Sequence, residues 1–147
     1  MNKIIVEVSI GELLDKISIL EIKQEKIKDS EKLKFINYEH SILKDQLEKN
    51  VQSDDKLNNL YQSLKEINAK LWVIEDDKRQ CEKDKNFGEK FIKLSRDVHF
   101  LNDDRAKIKL EINNHTGSAI KEIKEYTVIK WDFIFQKKNS NLGNLKF

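Results

Sequence analysis

The sequence predicts an all-α protein in which long antiparallel helical hairpins form a four-helix-type bundle. Three observations predict it. Proline is absent and glycine occurs only four times in 147 residues, so little interrupts helix propagation. Charged residues make up 37% of the chain, well above the usual quarter or so, a bias typical of long helices. Apolar residues recur at alternating spacings of three and four over long stretches.

The elements follow in order. Residues 3–8 carry the β-branched run Ile4, Ile5, Val6 and Val8 and read as a strand or extended arm. Ser9 is a good N-cap with Glu12 three residues on, the pattern of a capping box. The first helix then shows the stripe Ile10, Leu13, Ile17, Leu20 and Ile27, with Gln24 filling the gap. Asp29 and Ser30 interrupt it, and Ser30 can cap a second helix carrying Leu33, Ile36, Leu43 and Leu47, with His40 in register. A polar connection at residues 50–55 leads, through Ser53 or Asp54 as cap, to a third helix. Its stripe is Leu57, Leu60, Leu64, Ile67, Leu71, Ile74, Lys78 and Cys81. After a break at 83–88, the fourth stripe runs through Phe91, Leu94, Val98, Leu101, Arg105, Ile108 and Ile112, with Phe87 ahead of it. Gly117 supplies a left-handed stop. Residues 118–125 read as a short amphipathic helix, and 127–135 as a strand able to pair with the N-terminal arm. Residues 1–135 therefore read as one helical domain and 136–147 as a flexible polar tail.

Composition excludes several functional classes. The 28 basic and 26 acidic residues nearly cancel and alternate along the chain, which disfavours nucleic acid as a partner. A single cysteine, Cys81, allows no internal disulfide and no zinc cluster, and its place on the third stripe predicts burial. No apolar stretch approaches the roughly 18 residues of a membrane span, and Glu7 ends the first apolar run too early for a secretory signal, so the expected location is cytoplasmic. No glycine-rich phosphate loop or metal-ligand spacing occurs, and no cofactor is expected.

Chemistry, if present, lies in the exceptions to the stripes: Gln24, His40, Lys78 and Arg105. A buried polar group must pair, snorkel or serve a site. With consecutive hairpins turned near residues 30, 52 and 85, Glu21, His40, Asn68, Asn102 and Arg105 share one layer midway along the bundle. One reading is a pocket for an anionic small molecule, with Arg105 as fixed donor, His40 as titratable group, and Asn68 and Asn102 as orienting amides. The other is an internal salt bridge between Glu21 and Arg105 that sets register. Ile19, Ile22, Trp72, Val73, Ile92 and Phe100 lie off the stripes. They call for cover by the C-terminal segment or by a second subunit, most simply in a two-fold homodimer.

The run Val8-Ser9-Ile10-Gly11-Glu12-Leu13-Leu14-Asp15-Lys16, with Asn68 to Asp76, Leu101 to Ala106 and Gly117-Ser118, resembles a family of small bacterial proteins of unknown function with a Val-Ser-Ile-Gly-Glu-Leu signature. The resemblance covers roughly residues 4–126. Members are often encoded near glycosyltransferase and surface-polysaccharide genes. That setting implies a cytoplasmic accessory role in glycan assembly and carries over no catalytic residue. Two readings therefore stand together: a helical interaction module, or a small-molecule site protein or enzyme acting on an anionic ligand such as a sugar phosphate.

Overall fold

The computed structural model describes Asn2 and residues 4–127. Its helices are α1 (Ile10–Lys26), α2 (Ser30–Asn50), α3 (Asp55–Lys83) and α4 (Glu89–Thr116). Three of the four starts have a side-chain cap, and Gly88 at the start of α4 has none. Ser9 Oγ accepts the Glu12 N–H at α1, Asp29 accepts from Glu31 and Lys32 at α2, and Asp54 accepts from Leu57 at α3. The cap of α2 is thus Asp29, one residue before the Ser30 expected from sequence, because a carboxylate satisfies two orphan N–H groups at once. The end of α4 is Gly117, left-handed at φ 67°.

Two hairpins form, α1–α2 and α3–α4, but they do not follow one another as a simple up-down series. Helix α1 packs on all three other helices, whereas α2 comes within backbone reach of α1 alone. The molecule is therefore layered: α2 outside, α1 in the middle, the α3–α4 hairpin beyond. Helix α1 takes the middle because it is apolar on two sides. Its face made of Gly11, Leu14, Asp15, Ser18 and Ile22 is as buried as Ile17 and Leu20. Leu14, Leu57, Leu64 and Ile112 form the centre of the core, with Leu47 and Val51 closing over it from the end of α2.

This layering accounts for part of the burial of the off-stripe apolar residues. Ile22 is 2% exposed and Phe100 9%, and Ile19 and Trp72 are half-buried, all within the one chain. Cover for Ile22 comes from the neighbouring helices, and the C-terminal segment after Thr127 lies outside the described residues. Exposed apolar residues on and beside the helices include Phe35, Tyr38 and Ile42 on α2, Phe87 and Leu110 on the long hairpin, and the off-stripe Val73 and Ile92, which no described element covers fully. Cys81 is buried, as its stripe position predicts.

Two further expectations change. Residues 4–8 form no strand, and 118–125 no helix. An isolated helix of that length is marginal, and Ser118 and Glu122 instead bond to α1 and α4. The strand expected over 127–135 and the tail 136–147 lie outside the described residues, apart from Thr127, which is in no strand.

Candidate functional site

The polar residues at the helix crossings form two clusters, one on each side of α1. The first is built on Asp15, 2% exposed. Its carboxylate accepts Arg105 Nε at 2.9 Å and Nη2 at 2.5 Å, a two-pronged pair. Asn68 Nδ2 donates to Asp15 Oδ1 and to Ser18 Oγ, both at 2.8 Å. Arg105 Nη1 also reaches Asn102 Oδ1 at 3.4 Å. One turn along α4, the Lys109 ammonium donates to Glu12 at 2.6 Å and Glu122 at 3.0 Å, and stands 3.8 Å from Asp15.

Backbone approach makes this cluster geometrically possible. A Cβ on Gly11 would meet the Lys109 carbonyl oxygen at 2.6 Å and Asn113 Oδ1 at 2.9 Å. Only glycine lets α1 and α4 cross this closely. The contact also consumes the start of α1. Ile10 N–H donates to Ser118 Oγ, Gly11 N–H to Asn113 Oδ1, Glu12 N–H to Ser9 Oγ and Leu13 N–H to the Ser9 carbonyl. A helix N-terminus ordinarily offers such N–H groups to an anion. Here side chains of the same chain hold three of them, and the fourth bonds to the Ser9 backbone. The Glu12 carboxylate bonds to Lys109, a use the capping-box reading of the sequence did not include.

The second cluster lies between α1, α2 and α3. Glu21 accepts Lys65 Nζ at 3.0 Å, and Lys65 also pairs with Glu25 at 3.2 Å. His40 Nε2 stands 3.6 Å from Glu21, longer than a full hydrogen bond, and the Tyr61 hydroxyl faces the same carboxylate with no closer bond among the described residues. Burial pushes the Glu21 carboxyl upward, but Lys65, Tyr61 and His40 outweigh it and the net shift is downward. Burial and the Glu21 charge push Tyr61 strongly upward, which keeps it a neutral phenol.

The structure therefore divides the five residues singled out in the sequence. Asn68, Asn102 and Arg105 meet around Asp15, whereas Glu21 and His40 meet beside Lys65. The partner of Arg105 is Asp15, in place of the Glu21 expected from hairpin arithmetic. Asp15, Lys109 and Lys65 were missed because each looks like an ordinary charge on a solvated face. The signal that could have found Asp15 is the run Gly11, Leu14, Asp15, Ser18, Ile22, a helical stripe whose small residues mark a close crossing.

The first cluster holds two cations, Arg105 and Lys109, against three carboxylates, Glu12, Asp15 and Glu122, a formal balance of −1. Its Asp15 hydrogen bond raises the Arg105 pKa against the pull of burial. Burial pulls Lys109 down, but Glu12 and Glu122 overcome it and the net shift is up. Both cations stay charged and both are bonded to carboxylates. Among the described residues, no group of three or more His, Cys, Asp or Glu side chains is placed to hold a metal ion. No described helix is long and apolar enough to cross a membrane.

No curated protein and no solved structure matches the chain. A family model does, over residues 4–133, and it extends beyond the last helix to Phe133. The chain belongs to that family, DUF6165, a family of unknown function.

Proposed function

We propose that the protein is a cytoplasmic helical interaction module, acting as a homodimer, with an accessory role in glycan assembly. One observation carries the dimer: α2 has no buried side chain and turns a second apolar stripe outward. Phe35, Tyr38 and Ile42 are 77%, 61% and 39% exposed and follow one another at spacings of three and four. The occupant we assign to this face is a second copy of α2. A two-fold axis crossing α2 at right angles near residue 40 sets Tyr38 against the partner's Ile42, and Glu31 opposite the partner's Lys49. Both charges are exposed and held only by neighbours on their own helix, Lys34 and Asp45, so they can re-pair at little cost. The small net charge of +2 adds little repulsion between copies.

The glycan setting is what the sequence resemblance implies. The ligand reading is weaker, because Arg105 and Lys109 are already bonded to carboxylates of the same chain. Sedimentation equilibrium of the full chain tests the proposal. The expected result is a dimer of 17.4 kDa chains that Tyr38→Glu converts to a monomer with unchanged circular dichroism. Glu31→Lys should weaken the dimer, and adding Lys49→Glu should restore it. A monomer at high concentration, or a dimer indifferent to Tyr38→Glu, overturns the proposal.

A further inference from the structure

A cavity of about 240 Å³ lies between the second half of α4 and the segment that follows it. Ala106 and Leu110 give it an apolar wall, and the rest of its lining is polar: Lys107, Lys109, Asn113, Glu122 and Lys124. Lys109 reaches it from a side chain only 8% exposed. Asn113 is 1% exposed and spends its Oδ1 on the Gly11 N–H, so its Nδ2 is left over as a donor. Among the described residues lining the cavity, Glu122 alone carries a carboxylate. Its hydrogen bond from Lys109 pulls that carboxyl below its ordinary pKa, so it sits there as an anion. With Glu12 bonded to Lys109 from outside, the lining still holds one positive charge in excess, and without Glu122 it would hold two.

We infer that this cavity binds a phosphate group, free or as a monoester, and that Glu122 holds its place as a displaceable substitute from the same chain. Of the three carboxylates around Lys109, Asp15 is 2% exposed and Glu12 stands on the first turn of α1, both fixed by helix packing. Glu122 differs. Its side chain is 43% exposed, and residues 118–127 are in no helix or strand. Ile123 and Tyr126 of that segment are 79% and 72% exposed, so little apolar burial holds it down. Ser118 anchors its start at Ile10, and beyond that it is tied to α4 by Lys121 at Asn114 and by Glu122 at Lys109. A segment held by so few exposed polar bonds opens at low free energy. Opening alone would strip Lys109 of a partner, whereas exchange for another anion would not. A phosphate monoester carries about −1.5 to −2 charge near neutral pH and three acceptor oxygens. That charge matches the excess left when Glu122 departs, and the oxygens match the ammonium groups of Lys107, Lys109 and Lys124 with the Asn113 amide. A carboxylate ligand would supply no more charge than Glu122 already does. The cavity is smaller than the roughly 300–1,000 Å³ of sites for drug-sized molecules. It therefore takes the charged group, with Ala106 and Leu110 against the carbon next to it. The site uses neither Arg105 nor the α2 face and does not depend on the dimer.

Heteronuclear NMR of the full chain tests this, with inorganic phosphate and glycerol 3-phosphate titrated separately at constant ionic strength. The expected result is a saturable shift of the Asn113 side-chain amide signal. Glu122→Gln removes the internal competitor and should tighten binding about tenfold, the factor for a parent in which one molecule in ten is open. Replacing Lys107 and Lys124 together by alanine changes only exposed side chains. It should weaken binding about tenfold or more, with helix content unchanged by circular dichroism. The same change at Lys32 and Lys56, exposed lysines on α2 and α3, should leave the affinity as it is. Tighter binding of glycerol 3-phosphate assigns the monoester, and equal binding assigns the phosphate group alone; both support the inference. Three results would each overturn it: no saturable shift at Asn113 in Glu122→Gln, equal affinity in the parent and Glu122→Gln, or a loss from the Lys107 and Lys124 pair no larger than that from Lys32 and Lys56.

Discussion

Breaking the Asp15–Arg105 pair is the sharpest perturbation this structure offers. Arg105→Met keeps the apolar stem and removes the charge, leaving a carboxylate that is 2% exposed with Asn68 as its nearest donor and Lys109 at 3.8 Å. Removing one partner of a fully buried pair costs about 3–5 kcal/mol. Two features lower that figure here. The Arg105 side chain is 27% exposed, so the pair is not wholly desolvated, and Asn68 continues to donate. We expect about 2–3 kcal/mol for Arg105→Met and a similar loss for Asp15→Asn. In a chain of this size each kcal/mol lowers the melting temperature by roughly 3–4 °C, so each variant should melt about 6–12 °C lower. The double variant should lose much less than the sum, with a coupling of about 1.5–2 kcal/mol. Urea unfolding of the four proteins measures this directly. A coupling below about 0.5 kcal/mol would refute the assignment. So would a stronger coupling of Arg105 to Glu21 than to Asp15.

Three further outcomes follow from the same geometry. Gly11→Ala forces a Cβ against the Lys109 carbonyl at 2.6 Å and should cost about 1–3 kcal/mol, read as a lower urea midpoint with unchanged slope; full wild-type stability would show that α1 and α4 do not cross this closely. His40→Leu removes a buried nitrogen with no full hydrogen bond among the described residues and extends the α2 stripe, but it also takes away one of the groups that hold Glu21 down, so the effects oppose and stability should change by less than about 1 kcal/mol; a larger loss would reveal a bond that His40 makes. The depressed carboxyls of Glu21 and Glu122 bind fewer protons folded than unfolded. Their stabilisation is complete above the ordinary 4.5 and disappears as pH falls through the lower folded values. Melting temperature should therefore drop across that acid range, and Glu21→Gln should flatten part of the drop; an acid limb identical in the variant would contradict it.

The parts of this fold legible in sequence were those decided locally. Absence of proline, 3-4 apolar spacing, a cap at Ser53 or Asp54, which the structure gives to Asp54, and Gly117 as a stop each act within a turn or two. The contacts that decide the polar clusters act across 50 to 100 residues, from Asn68 to Ser18 and from Gly11 to Asn113. Periodicity gives a helix an apolar face but does not say which neighbour covers it. Helix α1 has two such faces, and reading only the Ile10–Ile17 stripe turned Asp15 toward solvent and left Glu21 as the only carboxylate available to Arg105. Level arithmetic along the hairpins still set Asn68 and Asn102 near Arg105, and His40 near Glu21, because rise per residue is the same in every helix. It could not assign sides, since that depends on rotation about the α1 axis.

That rotation is what the charged crossing fixes. An apolar α1 could lie on the α3–α4 hairpin in several rotations with similar burial, because leucine and isoleucine faces are interchangeable to within a few contacts. Gly11 permits close approach at a single level. Asp15 then needs Arg105 and Asn68 together, and Lys109 needs Glu12 and Glu122; a turn of α1 about its axis would leave Asp15 buried and unpaired. The penalty falls on the wrong arrangements more than any gain falls on the right one, which is how a buried ion pair specifies structure while adding little stability. Fixing α1 also fixes α2, which among the described helices comes within backbone reach of α1 alone. The outward direction of Phe35, Tyr38 and Ile42 is therefore set by residues on the opposite side of α1, in the Gly11–Asp15 turn. The polar cluster thus governs the face through which we propose the molecule meets its copy.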